Sequence, residues 1–329
     1  MLRLPAFKHT KAATLDDALS VLANPETGAR IFAGGTDLLV NMKHGLAAPG
    51  TVVSIGAIPE LRSISESGDG TVRIGSCVTL SEIAADRIVA DRLPALGDAA
   101  AAVASWQIRN VATLGGNLCL DTRCWYYNQS KAWRSAREAC YKLGGARCHA
   151  IKGSERCHAI NSSDTAPILM ALDARLIIER SGHKRTLPIC DFYRDDGSRH
   201  TALEPGELVT FVEVPPGEEG SRAQFVKIST RRGIDFAAGN LAACIRHSSN
   251  SCSAARLVIG AMHSAPRLLD NAGRVLRESG LTQQSIEKAA EAARSELGTV
   301  TNLFCSAGYK RDLARALTRQ ALQAYRIKK

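Results

Sequence analysis

Between Leu118 and Asn161 the chain runs for roughly 40 residues without a sustained helical or strand period, far longer than an ordinary connection inside a compact domain. Five of its ten cysteines fall in that stretch. The last four, Cys124, Cys140, Cys148 and Cys157, stand 16, 8 and 9 positions apart. Arg-Cys-His-Ala-Ile occurs at 147–151 and again at 156–160, which places two of the sulfurs in near-identical local settings. Cysteines grouped in this way read as a metal-site pattern, and the fold must carry them on a long excursion from its core.

At 329 residues the chain is too long for one small core and is expected to fold as two or three domains. Its 45% hydrophobic and 22% charged residues mark it as globular. No apolar run approaches the ~18 residues that span a bilayer, because Asp173 interrupts the richest stretch, 166 to 178. Lys8, His9, Lys11, Asp16 and Asp17 break any hydrophobic leader, so a cytoplasmic location is expected. Thiols stay reduced there, and clustered cysteines favour metal over disulfides. The formal charge of +10 invites a nucleic-acid reading, yet aromatic platforms and long like-charged runs are missing, with aromatics at only 5%. Neither nucleic acid nor membrane is expected as a partner. Part of the excess is local. From Asp121 to His158 eight Lys or Arg stand against three acids, which suits an anionic cofactor or an acidic partner protein.

Two glycine turns carry a second signal. Residues 29 to 33 read as a strand, followed by Gly34-Gly35-Thr36-Asp37 and the apolar-periodic Leu38, Leu39 and Met42. The second turn is Ala112-Thr113-Leu114-Gly115-Gly116-Asn117-Leu118. One Gly-Gly turn alone is commonly plain structure. Two of them, ending in Thr36 and Asp37 and in Thr113 and Asn117, are better explained by a pyrophosphate passing between them. Glycine permits close backbone approach, and free amides at a helix start supply hydrogen bonds. Neither turn matches Gly-x-Gly-x-x-Gly or the P-loop, which disfavours an ordinary NAD fold or a nucleoside triphosphatase.

Elsewhere the pattern predicts a helix over 14 to 23 capped by Thr14 with Asp17 three residues on, and helices over 80 to 88 and 93 to 105. Ser163 or Asp164 can cap a helix with Pro167 in its first turn. Strands are expected at 51–55, 71–75, 174–179, 207–214, 224–229, 241–245 and 256–261, and closing helices at 268–278, 284–295 and 309–325. The best linker is 215–221, rich in Pro and Gly.

For the cysteine ladder two metal readings stay open. Zinc would want Cys-x-x-Cys pairs or His partners. His149 and His158 each adjoin a candidate sulfur, but adjacent residues rarely bind one ion together, and no Cys-x-x-Cys is present. A 4Fe-4S cluster wants four soft thiolates from a loop long enough to wrap it, and the local positive charge would partly neutralise its dianion. Cys77, Cys190, Cys244, Cys252 and Cys305 sit in or beside apolar stretches and read as inert core thiols.

At these residues the chain resembles the FAD-binding medium subunits of the xanthine dehydrogenase and molybdenum hydroxylase family. Ala33-Gly34-Gly35-Thr36-Asp37, the turn from Ala112 to Leu118, Ser163-Asp164, and Lys227 followed by Arg231-Arg232 fall where that family has its flavin motifs, so the likeness covers essentially the whole length. It implies an α+β fold: a two-lobed FAD-binding domain over 1–216, its lobes split near residue 50 and its iron–sulfur insertion at 119–160, then a C-terminal α+β domain over 217–329. It implies FAD held by Phe32, Ala33, Gly34, Gly35, Thr36, Asp37 and Leu38 on one turn and Thr113, Gly115, Gly116 and Asn117 on the other. Asp164 would orient the cofactor, Lys227 would lie near the isoalloxazine end, and Ile108 and Leu208 would supply apolar walls. Cys119, directly after the second turn, would be a small side chain under the flavin, with a ligand role as the alternative.

Most members of the family lack the insertion. The ladder, led in by Asn117-Leu118-Cys119-x-Asp121-Thr122-Arg123-Cys124 and followed by Tyr127-Asn128-Gln129-Ser130, is similar to the 4-hydroxybenzoyl-CoA reductase branch. That likeness implies Cys124, Cys140, Cys148 and Cys157 as ligands of a 4Fe-4S cluster and a ferredoxin as donor. It also implies a dimer of heterotrimers whose other subunits hold the molybdenum cofactor and 2Fe-2S clusters. Substrate chemistry would then occur on the molybdenum subunit, and this chain would transfer electrons without a catalytic residue of its own. An aldehyde or purine-type dehydrogenase subunit running electrons outward, or a flavin-binding protein with a zinc-stabilised docking loop, are the alternatives.

Overall fold

The computed structural model describes residues 3–231, 233–248, 251–302 and 305–325. Strand β1 (Lys8–Lys11), helix α1 (Leu15–Ala23), strand β2 (Ala29–Phe32), helix α2 (Leu38–Lys43) and strand β3 (Thr51–Ser54) build the first lobe. Its sheet is parallel, in the order β1-β3-β2. The expected cap is present. Thr14 Oγ1 accepts from Asp17 N at 3.1 Å while the Asp17 carboxylate accepts from Thr14 N at 2.9 Å, a reciprocal pair that satisfies two backbone donors. The central strand β3 begins at Thr51, so the first sheet continues past residue 50.

Strands β4 (Ile64–Glu66) and β5 (Val72–Gly75) open the second lobe, followed by helices α3 (Leu80–Ala85), α4 (Arg87–Arg92), α5 (Pro94–Ala101), α6 (Trp106–Arg109) and α7 (Leu114–Leu118). Where one helix was expected over 80 to 88 there are two. Asp86 ends the first and accepts from Val89 N at 3.0 Å to cap the second. The insertion follows, containing the short helix α8 (Lys131–Ser135). Helix α9 (Thr165–Ala171), strands β6 (Arg175–Arg180) and β7 (His183–Pro188), helix α10 (Ile189–Phe192) and strand β8 (Leu208–Val214) complete the lobe. Its antiparallel sheet has the order β4-β5-β8-β6-β7. All seven residues of α9 are buried, as an apolar-all-round helix requires. Edge strand β7 was not expected, because His183, Lys184 and Arg185 lack the apolar alternation that marks a strand; charge on an edge guards against further pairing.

Residues 215–220 lead into the last four strands, β9 (Ser221–Ile228), β10 (Gly239–Ser248), β11 (Ser251–Gly260) and β12 (Arg267–Leu268). They form an antiparallel sheet in the order β12-β11-β10-β9. Helices α11 (Asp270–Ser279), α12 (Gln283–Glu296) and α13 (Ala307–Gln323) cover one face. The strand period of two decides who meets whom. Leu241, Ala243 and Ile245 turn to Leu313, Leu317 and Leu322 of α13, whereas Ala242 and Val258 join the core containing Ile168 and Leu169 of α9. This sheet is therefore buried on both faces and welds the C-terminal helices to the second lobe.

Among the described residues no helix is long and apolar enough to cross a membrane. All ten cysteines are unpaired. Cys77 and Cys252 are buried as expected, but Cys190 is exposed, because α10 is only four residues long and turns that side chain outward beside Asp191. Replacing Thr14 with Ala removes the α1 cap and is expected to destabilise the first lobe by about 1 kcal/mol, read as a lowered urea midpoint at unchanged slope.

Candidate functional site

The first glycine turn joins β2 to α2, the second leads from α6 into α7, and the two touch. A Cβ built on Gly34 would lie 1.8 Å from the carbonyl oxygen of Val111, so only glycine lets the two backbones meet there. The second turn is pinned from below, where Leu114 N donates to Val78 O and Gly115 N to Ser76 O, each at 2.9 Å. Thr113 Oγ1 accepts from Gly116 N at 3.2 Å. That hydroxyl is also the one neighbour within 4 Å of a Cβ built on Gly116, at 3.1 Å, and the residue is otherwise exposed. On the first turn the backbone N–H groups of Gly34, Gly35, Thr36 and Asp37 find no acceptor among the described residues. Successive free N–H groups in a turn form a concavity for an anion.

Large apolar side chains rim this place. Trp106 is 75% exposed, Val111 48% and Ile108 36%, while Ile234 and Phe236 stand out from the loop between β9 and β10. That loop is held to the second lobe by Ile234 N donating to Ala104 O at 3.2 Å. Of these residues the sequence pointed only to Ile108, since nothing in a sequence marks an apolar residue as exposed. Leu208 lies elsewhere, buried with Leu19, Ile177 and Phe211 in the core between the first lobe and the large sheet.

Of the polar residues expected at the flavin, Asp37, Thr113, Asn117, Asp164 and Lys227 have protein partners. Asn117 Oδ1 accepts from Ser163 Oγ and Thr165 Oγ1, both at 2.7 Å, which ties the second turn to the start of α9. Ser163 Oγ, not the Asp164 carboxylate, accepts from Ala166 N at 3.0 Å. Asp164 is turned the other way. Its Oδ2 accepts from Lys227 Nζ at 2.6 Å and its Oδ1 from Asn240 Nδ2 at 2.7 Å. Burial pushes the Asp164 carboxyl above the usual range, with the Lys227 charge acting against it. Lys227 Nζ also donates to Ala102 O at 2.8 Å, so one ammonium joins β9, α9 and the end of α5. Asp37 pairs with Arg123, accepts from Asp121 N at 3.1 Å and from Asn41 Nδ2 at 3.1 Å, and so mounts the insertion on the first turn. Phe236 lies 5.5 Å from the Arg123 guanidinium. Arg232, beside Arg231, lies outside the described residues.

The insertion leaves the second lobe through a narrow neck, where Arg123 and Ile160 exchange backbone hydrogen bonds at 2.8 Å in both directions. Beyond the neck it is fastened by polar contacts. Arg134 donates to Gly45 O at 2.8 Å and His44 O at 3.4 Å, carbonyls just past the end of α2, and at the neck itself Thr122 Oγ1 donates to Gly197 O at 2.6 Å. Asp195 receives both Arg156 and Arg267, the latter from β12.

Inside, Cys124, Cys140, Cys148 and Cys157 line one cavity of about 280 Å³, counting the part open to solvent, together with Tyr126, Tyr127, Lys142 and His158. Cys119 is not among the lining residues and packs against the main core. Burial pushes the Cys157 thiol up to about 12 and that of Cys124 in the same direction, which disfavours free thiolates there. Among the described residues no three His, Cys, Asp or Glu side chains converge closely enough to hold a metal ion. A tetrahedral zinc would bring its sulfurs to about 3.8 Å from one another, given Zn–S bonds of about 2.3 Å.

Residues 5–217 match the FAD binding domain in molybdopterin dehydrogenase, and residues 224–325 match the CO dehydrogenase flavoprotein C-terminal domain. The chain is 32% identical to the aldehyde oxidoreductase FAD-binding subunit PaoB of Escherichia coli strain K12, over 98% of this chain and 100% of that one. It is 29% identical to a xanthine dehydrogenase FAD-binding subunit of Escherichia coli O157:H7, over 95% and 94% of the two chains. Among solved structures it is similar to carbon monoxide dehydrogenase from Hydrogenophaga pseudoflava, with a TM-score of 0.80 at 25% identity over 98% of each chain.

The Asp164 pair is the most exacting contact at this site. Lys227→Met leaves a buried carboxylate without its cation and is expected to cost about 3–5 kcal/mol. Adding Asp164→Asn should recover part of that loss, measured as non-additivity of urea midpoints in a double-mutant cycle.

Proposed function

Because the chain belongs to the FAD-binding medium subunits of the molybdenum hydroxylase family, we propose that it is the electron-transfer subunit of a 4-hydroxybenzoyl-CoA reductase type complex, carrying FAD and a 4Fe-4S cluster. The observation that carries the finer part is the gathering of four thiols from a 34-residue span around a single cavity beside the flavin lobe. When bound, the two cofactors would store and pass electrons between a one-electron donor and the reducing chemistry of a partner subunit.

This chain's residues would do the holding. The free amides of Gly34, Gly35, Thr36 and Asp37, with Phe32, Ala33 and Leu38 flanking them, would face the pyrophosphate of FAD. Thr113, Gly115, Gly116 and Asn117 would form the opposite wall, Gly116 offering the open approach. Ile108, with Trp106, Val111 and Phe236, would keep water from the ring system, whereas Leu208, buried in a core elsewhere, has no part in it. Asp164 and Lys227 would orient the site by fixing α9 against β9. Cys124, Cys140, Cys148 and Cys157 would hold the cluster.

In this reading the FAD domain is 1–216 and the C-terminal domain 217–329. The complex is a dimer of heterotrimers with a molybdenum-cofactor subunit and a 2Fe-2S subunit, and the location is the cytoplasm, which suits ten unpaired thiols. The eight Lys or Arg of the insertion would attract an acidic donor of the ferredoxin class. A second reading keeps the FAD but runs electrons outward, as the xanthine and aldehyde names of its relatives suggest. Oxidation of reduced viologen on adding 4-hydroxybenzoyl-CoA to the purified complex supports the first; reduction of an acceptor by a purine or aldehyde supports the second.

Analysis of the complex should give about four iron and four acid-labile sulfide assigned to this chain beyond those of the 2Fe-2S subunit, and zinc without extra sulfide would remove the cluster from the proposal. Cys140→Ser is expected to keep FAD at full occupancy and to abolish viologen-driven reduction. Gly116→Val should fold, since its Cβ would meet only the Thr113 hydroxyl, at 3.1 Å, yet lose most of its FAD, measured as flavin absorbance per chain with circular dichroism as the control.

A further inference from the structure

Lys142 follows Cys140 in the turn Tyr141–Leu143 and lines the cavity beside the four thiols. Its side chain is only 5% exposed. The ammonium donates to the Asp121 carboxylate, to Thr122 O at 3.0 Å and to Thr122 Oγ1 at 2.7 Å, and it lies 4.6 Å from the centre of the Tyr127 ring. Three acceptors use all three of its donors, so its position is fixed. The other cavity cation of full charge, Arg147, is paired with Glu138 on the outside, where solvent screens it. His149 and His158 are each engaged, with Glu138 O and Ser154 Oγ at 2.8 Å. Asp121, the partner of Lys142, is the residue whose N–H donates to Asp37 on the first glycine turn. None of this is needed to supply four sulfurs.

Resting on the assignment of Cys124, Cys140, Cys148 and Cys157 to an iron–sulfur centre, we propose that Lys142 is a positioning residue which sets the reduction potential of that centre through a fixed, buried positive charge. Taking up one electron makes a four-thiolate centre more negative by one charge, and a cation held in the cavity wall favours that form over the oxidised one. The electron comes from the external donor and no proton need move. Loss of the ammonium also leaves the Asp121 carboxylate uncompensated near the cavity, which acts in the same direction.

The test is an EPR-monitored dithionite titration, at one pH, of the purified complex carrying Lys142→Gln or Lys142→Arg. Lys142→Gln is expected to keep its iron, sulfide and FAD while the one-electron equilibrium of the centre shifts at least tenfold towards the oxidised form, a potential lower by about 59 mV. Lys142→Arg should restore most of it, and the flavin potential should stay where it was. An unchanged cluster potential in Lys142→Gln overturns the proposal. If Lys142→Gln assembles no cluster, retention of iron in Lys142→Arg supports the charge, whereas loss in both variants makes Lys142 a packing residue and overturns it. Wild-type complex without an extra iron–sulfur signal is a separate result that sinks the cluster assignment itself.

Discussion

A carboxylate buried at the start of a buried helix governs how the C-terminal sheet is seated on the second lobe. Asp164 cannot stay charged in that place without a cation, and the cation comes from β9, more than sixty residues later in the chain, with Asn240 of β10 taking the second oxygen. Apolar packing between the sheet and α9 would tolerate small slips. A charge pair with both carboxylate oxygens occupied would not, because a displaced partner leaves the desolvation cost uncompensated. The sheet is therefore held in one position, and the loop bearing Ile234 and Phe236 arrives at the rim of the glycine turns.

The insertion follows different physics. It contributes little to the main core and is fastened by ions and hydrogen bonds: Asp37 with Arg123, Lys142 with Asp121, Arg134 with the carbonyls beyond α2, and Asp195 with Arg156 and Arg267. These contacts reach the first lobe, the second lobe and the C-terminal sheet. A segment too polar to fold on its own is thus ordered by the surfaces it lies on, with its cysteines facing inward.

Local features were the legible ones. Thr14 and Asp17 announce their own cap, the first glycine turn stands where strand and helix patterns meet, and the cysteine ladder marks the cavity residues by type and spacing. Strand β7 escaped notice because its charged positions face solvent at an edge, and the break between α3 and α4 because Asp86 reads equally well as a helix-surface residue. The partners of Asp37, Asn117 and Asp164 were not legible at all. Apart from Asn41, four residues after Asp37, each lies 46 to 86 residues away, and which of several acids meets which base is decided by packing that local periodicity does not encode.

The neck between Arg123 and Ile160 carries one more implication. Its two ends sit at bridging distance across an antiparallel pair of hydrogen bonds, so a short hairpin could replace everything between them without moving the glycine turns or α9. In genetic terms the excursion is a cassette, one that a single event could excise while the glycine turns and α9 behind it stay intact.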